Sequence, residues 1–177
     1  LDAIKILQKA PHYSDKKFHL QAFKVLNKYP EGAESLAIPT WFYGHEPSNL
    51  FASHIAKYFS NSIREDGLLA IASYGVIYAP GSAGTTQEIF MDATQNHYAS
   101  MTDMVSPMVF LGKQYWTEKK PVFKLIKSLV TGNNASQLGD QLTITDDPEE
   151  AIAFIEGNPP RPGNRESWSF CSAFCSD

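Results

Sequence analysis

The chain has 177 residues, 43% of them hydrophobic and 19% charged, with a formal net charge of -4. That length is about one ordinary domain, and the composition excludes wholesale disorder. The acidic balance argues against a general nucleic-acid binder, and no apolar run approaches the roughly 20 residues of a membrane helix. Neither nucleic acid nor a membrane is therefore expected as a partner. No basic-then-apolar leader opens the sequence, so secretion is not expected. Its two cysteines, Cys171 and Cys175, both fall in the last seven residues. A zinc site needs about four ligands, so they read as free thiols in a frayed tail, and no metal site is expected. A core built without cysteine fits a reducing cytoplasm.

The chain opens in a helical pattern, Leu1-Asp2-Ala3-Ile4-Lys5-Ile6-Leu7. Such an abrupt start leads to the expectation of an N-terminally incomplete domain. Residues 16–28 place Leu20, Phe23, Val25 and Leu26 near helical spacing, and Tyr29-Pro30-Glu31-Gly32 breaks the pattern. Residues 36–43 are strand-like in content, followed by a polar loop from Gly44 to Asn49. From Leu50 to about Arg64, Phe51, Ile55, Tyr58, Phe59 and Ile63 follow one apolar face and predict a long helix. A second short helix is expected over 67–73, then a short buried strand from Gly75 to Ala79. Thr85 onward reads as helix to about His97, with Ile89, Phe90 and Ala93 inward.

Further on, Pro107 to Gly112 predicts a strand, Pro121 to Val130 a helix, Leu142 to Thr145 a last strand and Glu149 to Glu156 a last helix. Strands alternating with helices predict an α/β fold with a mostly parallel sheet and helices on both faces. Residues 1–156 are expected to form that domain and 157–177 an irregular tail.

The strongest local signal is Pro80-Gly81-Ser82-Ala83-Gly84-Thr85-Thr86-Gln87-Glu88, a small-residue loop running from a buried strand into a helix. In a parallel sheet it lies at a strand's carboxyl end, where such folds bind ligands. Gly81 and Gly84 are expected to take φ > 0 and let the backbone approach a ligand closely. Free amides of Gly81, Ser82, Ala83, Gly84 and Thr85, with the positive helix end, make a natural phosphate site. The pattern is neither a P-loop nor the dinucleotide Gly-x-Gly-x-x-Gly fingerprint. The same residues also read as a capping box, with Thr85 capping and Glu88 reaching back.

This segment resembles the Pro-Gly-Gly-x-Gly-Thr-x-x-Glu motif of the LOG (LONELY GUY) family, many of whose members were once labelled lysine decarboxylases. The runs Ile38 to Pro47 and Ser106 to Gly112 are similar to a bacterial branch of that superfamily, so the likeness covers about residues 1–156. It implies a Rossmann-like three-layer fold, a homodimer, and a phosphoribohydrolase that releases the base from a nucleoside 5′-monophosphate. By the same likeness, Gly81, Gly84 and Thr85 hold the 5′-phosphate, Glu88 is the acidic catalytic residue, and Arg64 is the helix arginine preceding the motif. No metal or redox cofactor is implied.

Three features depart from the family pattern. Arg64 is one position off register and is followed by Glu65 where the family has Lys. Ser82 replaces the second motif glycine. The family's first glycine-rich loop has no counterpart, which again fits an N-terminally incomplete domain.

Several other residues are candidates. His45 and Glu46 occupy the loop after a strand-like run, where ligand contacts gather or a solvated turn forms. Asp92 stands four residues beyond Glu88 on the same helix face. The two form either an acid–base pair or part of a solvated face. His54 reads as a core-margin histidine, the Gln95–Tyr98 run as a helix-end cap, and Met101, Met104 and Met108 as packing. The alternative to hydrolysis is a nucleotide-binding or sensing protein without turnover, since a fold alone does not set function. Lysine decarboxylation is disfavoured, because it normally needs pyridoxal phosphate on a lysine and no lysine lies in the loop.

Overall fold

A computed structural model describes residues 2–40, 49–98, 104–129 and 136–162. The chain divides into two compact units, Leu1–Arg64 and Glu65–Asp177.

In the first unit, α1 (Asp2–Leu7) and α2 (Phe18–Lys28) are followed by β1 (Leu36–Ala37) and β2 (His54–Ile55). These strands pair in parallel, Leu36 with His54 and Ala37 with Ile55, and Thr40 bridges Tyr58. An ion pair between Lys28 and Asp2 ties the two helices at the surface.

The helix expected from Leu50 to Arg64 is not formed over its first part. Residues 50–60 are extended or turned, and the amides of His54 and Ala56 donate to Ser35 O and Ala37 O. Phe51 turns on Asn49, whose Oδ1 accepts from its amide at 3.0 Å. Aromatic and β-branched residues suit extended backbone, and here they outweigh an apolar spacing that also fits a helix. Ile55 and Phe59 remain 61% and 74% exposed, so no core rewards the helical face. His54 is likewise an exposed strand residue, not a core-margin histidine. Of the strand expected over 36–43, Leu36–Ala37 is formed, and residues 41–43 lie outside the described residues.

Helix α3 (Asn61–Ile71) spans the boundary between the units. It runs unbroken through Gly67, so the separate helix expected over 67–73 is the end of α3.

The second unit is built on a three-stranded parallel sheet of β3 (Val76–Tyr78), β5 (Met108–Leu111) and β6 (Leu142–Thr145), in the order β3-β5-β6. Val76 pairs with Met108 and Tyr78 with Phe110; Met108 pairs with Leu142 and Leu111 with Thr145. Central β5 has Met108, Val109 and Phe110 fully buried, as a strand covered on both faces must be. Helix α4 (Ala83–Tyr98) follows β3. After β5 come a π-helical turn (Tyr115–Lys119), α5 (Val122–Leu129) and α6 (Ser136–Asp140), and α7 (Pro148–Gly157) follows β6. The π turn was not anticipated, because a single five-residue bulge leaves no periodicity to read.

Helix α7 starts where capping chemistry dictates. Asp147 Oδ1 accepts from Glu149 N at 2.9 Å, Pro148 opens the first turn, and Glu149 and Glu150 favour the positive helix end. The tail is not wholly irregular: β7 (Arg161–Pro162) pairs antiparallel with β4 (Met104–Val105). Residues 163–177, with both cysteines, lie outside the described residues.

Ile89 and Ala93 from α4, Phe110, Trp116 and Ile126 form the buried core of this unit. Trp116 packs edge-on against Phe110 at 5.7 Å, and its indole N–H donates to Tyr78 O and Leu111 O, each at 3.1 Å. One side chain thereby joins the carboxyl ends of two neighbouring strands. The fold is thus mixed α/β, with several helices flanking largely parallel sheets. Among the described residues no helix is long and apolar enough to cross a membrane.

Candidate functional site

The loop from Ala79 to Ser82 leaves the carboxyl end of β3 and enters α4 at Ala83. Helix α4 therefore begins three residues earlier than the capping-box reading requires. Thr85 lies inside the first turn, so it cannot cap, and Glu88 is too far along to reach back. Ser82 precedes the helix, and its carbonyl accepts from both Thr86 N at 3.2 Å and Thr86 Oγ1 at 3.1 Å.

Nor do the motif glycines take φ > 0; among the described residues the glycines that do are Gly75 and Gly112. Gly81 is required for another reason. A Cβ there would stand 2.1 Å from Thr85 Oγ1 and 2.7 Å from Thr85 Cβ, so the threonine closes directly over the glycine backbone. At Gly84 the nearest atom to such a Cβ is Glu65 Oε1 at 3.9 Å, and the position is exposed.

Two side chains from beyond β5 hold the loop. Tyr115 Oη donates to Gly81 O at 2.5 Å, and Lys120 Nζ donates to the same carbonyl at 2.9 Å. Lys120 is half-buried, and among the described residues it makes no ion pair. No lysine lies within the loop sequence, yet the fold brings an ammonium to it. Separated by 39 positions, Gly81 and Lys120 carry no local signal of this meeting. A neighbouring constraint comes from Glu65, fully buried on α3, whose Oε2 accepts from Gln87 Nε2 at 2.6 Å.

Asp92 is not on a solvated face. It is 3% exposed, and its Oδ2 accepts from Tyr78 Oη at 2.5 Å while Oδ1 accepts from Asn96 Nδ2 at 3.1 Å. Asn96 Oδ1 in turn accepts from Ser106 N at 2.8 Å and Ser106 Oγ at 3.3 Å. Asn96 is thus a buried link and not a helix-end cap. Burial pushes the Asp92 carboxyl up to about 6, against the lowering effect of the Tyr78 bond. Burial first, then the charge of Asp92, its hydrogen bond and the charge of Glu88 hold the Tyr78 phenol well above its usual value. The sequence did contain a signal for this network: Ile89, Asp92, Ala93 and Asn96 share the spacing of one buried helix stripe, with two polar members.

Gly81, Ser82, Ala83, Gly84, Thr85, Glu88 and Asp92 therefore all lie on one loop and the helix that follows it. Arg64 closes the first unit; its Nε donates to Asn61 Oδ1 at 3.0 Å and its Nη1 to Ile38 O at 3.2 Å. His45 and Glu46 lie outside the described residues. Also in the first unit is an apolar hollow of about 360 Å³, lined by residues such as Leu7, Phe18, Leu50 and Phe51, with little polar chemistry to offer. Among the described residues no cluster of three or more His, Cys, Asp or Glu side chains could hold a metal ion. No protein-family model matches the chain, and no curated protein matches it.

Proposed function

We propose that the protein is a LOG-like phosphoribohydrolase of Rossmann-like fold, which cleaves the N-glycosidic bond of a nucleoside 5′-monophosphate to give the free base and ribose 5-phosphate. The observation that carries this reading is the β3–α4 loop, with a half-buried ammonium from Lys120 held 2.9 Å from Gly81 O. A cation in partial burial, without a carboxylate partner among the described residues, favours an anion beside it. The amides from Gly81 to Thr85 and the helix end supply the remaining donors for a 5′-phosphate. Glu88, near the start of α4, then provides negative charge for an oxocarbenium-like ribose and orients the attacking water. The water oxygen bonds to the anomeric carbon, the carbon–nitrogen bond breaks, and the base leaves with a proton. Arg64 is assigned to the phosphate or the base by the family resemblance alone. A homodimer is supported by the same resemblance and by exposed Phe51, Ile55, Tyr58 and Phe59.

A second reading, nucleotide binding without turnover, is favoured by Glu65. It stands where the family has lysine, and it adds a fully buried carboxylate whose Oε1 lies nearest Gly84 at the start of α4. That carboxylate weakens the pull of the loop on a phosphate and alters the charge the reaction would meet. Incubation with AMP, GMP, CMP and UMP, followed by chromatography of the products, separates the two. Free base and ribose 5-phosphate are expected; saturable binding with no release would favour the second reading, and neither would refute both.

A further inference from the structure

We propose that Tyr115 is a positioning residue for the β3–α4 loop. By holding the Gly81 carbonyl it aims the Ser82 amide as an anion donor, and it leaves Lys120 able to exchange that carbonyl for the anion. The effect on anion binding rests on the phosphate reading of this loop; the hold on the carbonyl does not.

The peptide joining Gly81 to Ser82 is unevenly satisfied. On one side, Gly81 O accepts from Tyr115 Oη at 2.5 Å and from Lys120 Nζ at 2.9 Å, which uses both of its lone pairs. On the other, the Ser82 N–H has no acceptor among the described residues, and Ser82 is exposed just before α4. A trans peptide is planar, so its C=O and N–H point in opposite directions. Fixing Gly81 O therefore fixes the Ser82 N–H, aimed away from Tyr115 and Lys120. Thr85, closed over the Gly81 backbone, limits rotation of the same peptide. An unpaired amide at the opening of a 16-residue helix suits an anion.

The two donors are not held alike. Tyr115 opens the π turn beside Trp116, which is fully buried and tied to Tyr78 O and Leu111 O. The two rings stand edge-on at 4.9 Å. Gly112, at φ +107°, lets Pro80 close in: a Cβ there would lie 3.4 Å from Pro80 Cγ and 3.6 Å from Tyr115 Cβ. The phenol is thus seated on a packed corner, whereas Lys120 reaches the carbonyl on a flexible stem. Its ammonium lies on the carbonyl side of the peptide, opposite the Ser82 N–H. To meet an anion held by that amide, Lys120 must leave Gly81 O. Tyr115 then still satisfies the carbonyl, so the exchange strands no acceptor.

The test is an NMR titration of the full, 15N-labelled chain with inorganic phosphate at several salt concentrations, for the parent, Tyr115→Phe and Lys120→Met. The N–H dipolar coupling of Ser82, measured before phosphate is added, reports the direction of the amide. In the parent, phosphate should move the Ser82 resonance saturably. Tyr115→Phe should alter the coupling and weaken phosphate about three- to tenfold while keeping the salt dependence, since the ammonium remains. Lys120→Met should keep the parent coupling and lose much of the salt dependence. A parent coupling in Tyr115→Phe overturns the hold on the carbonyl, and undiminished affinity there overturns the aiming of the amide. Should Tyr115→Phe fail to fold, Lys120→Met decides, because a coupling unlike the parent's shows that Tyr115 alone does not hold the peptide. Phosphate that moves no loop amide of the parent refutes the anion reading, and the coupling alone then judges the role of Tyr115.

Discussion

The two glycines of the loop motif should respond to alanine with opposite signs, although the motif treats them alike. At Gly81 the new methyl would lie 2.1 Å from Thr85 Oγ1, 2.7 Å from its Cβ and 3.0 Å from its Cγ2. Carbon–oxygen contacts are normally closed no further than about 3.3 Å, so more than about 1 Å of overlap must be relieved. Rotating Thr85 does not help, because its Cβ does not move with χ1. The loop must shift instead, against the Tyr115 and Lys120 bonds to Gly81 O. Overpacking of this kind costs about 1–3 kcal/mol. The alanine recovers about 0.4–1 kcal/mol through the unfolded chain, since Gly81 is not held at positive φ.

The net expectation is a loss of about 1–2 kcal/mol, or a fall in Tm of about 2–8 °C for a chain of this size. Gly84→Ala places its methyl 3.9 Å from Glu65 Oε1 inside a helix, where alanine is favoured over glycine by about 0.5–1 kcal/mol. Its Tm should rise by about 1–4 °C. Yet the exposed methyl crowds the first turn of α4, so phosphate affinity should fall. Calorimetric melts at fixed pH, with and without phosphate, read both effects. A Gly81→Ala protein as stable as its parent, or a Gly84→Ala protein less stable, would refute the packing argument. Undiminished phosphate affinity in Gly84→Ala would refute the placing of the anion.

Glu88→Gln keeps the side chain's size inside α4, so the protein should still fold and melt cooperatively. Base release should fall by about 10²–10³, the usual weight of one such electrostatic contribution; full activity would remove Glu88 from the reaction. Lys120→Met keeps an unbranched apolar side chain and deletes the ammonium, which lies 6.0 Å from the Tyr115 ring centroid, so phosphate affinity should drop about tenfold and lose much of its salt dependence. Unchanged affinity would place the anion elsewhere. Sedimentation equilibrium should give a dimer at micromolar protein, with an interface above about 1,000 Å²; a monomer would refute it.

Much of the second unit was legible along the chain, because its signals are local. The run Met108-Val109-Phe110 is apolar at every position, as a central parallel strand requires, and Asp147-Pro148-Glu149 carries its own capping chemistry. The small-residue loop before α4 was equally plain, since only strand, turn and helix neighbours are needed to recognise it. The region from Leu50 to Ser60 was misread because apolar spacing reports a buried face only when something buries it. Phe51, Ile55 and Phe59 are exposed, and pairing of His54 and Ile55 with β1 holds the middle of the segment extended instead.

The sequence by itself therefore determined the α/β class of the second unit, its strand order along the chain and the place of the loop between β3 and α4. Tertiary structure alone decided what meets that loop. Lys120 and Tyr115 arrive from beyond β5, and Ser106 reaches Asn96 across ten positions. Propensity and capping act over one turn of chain, whereas a hydrogen bond or a buried charge depends on which strands are neighbours in the sheet. The parallel pairing of β3 with β5 brings those distant segments together.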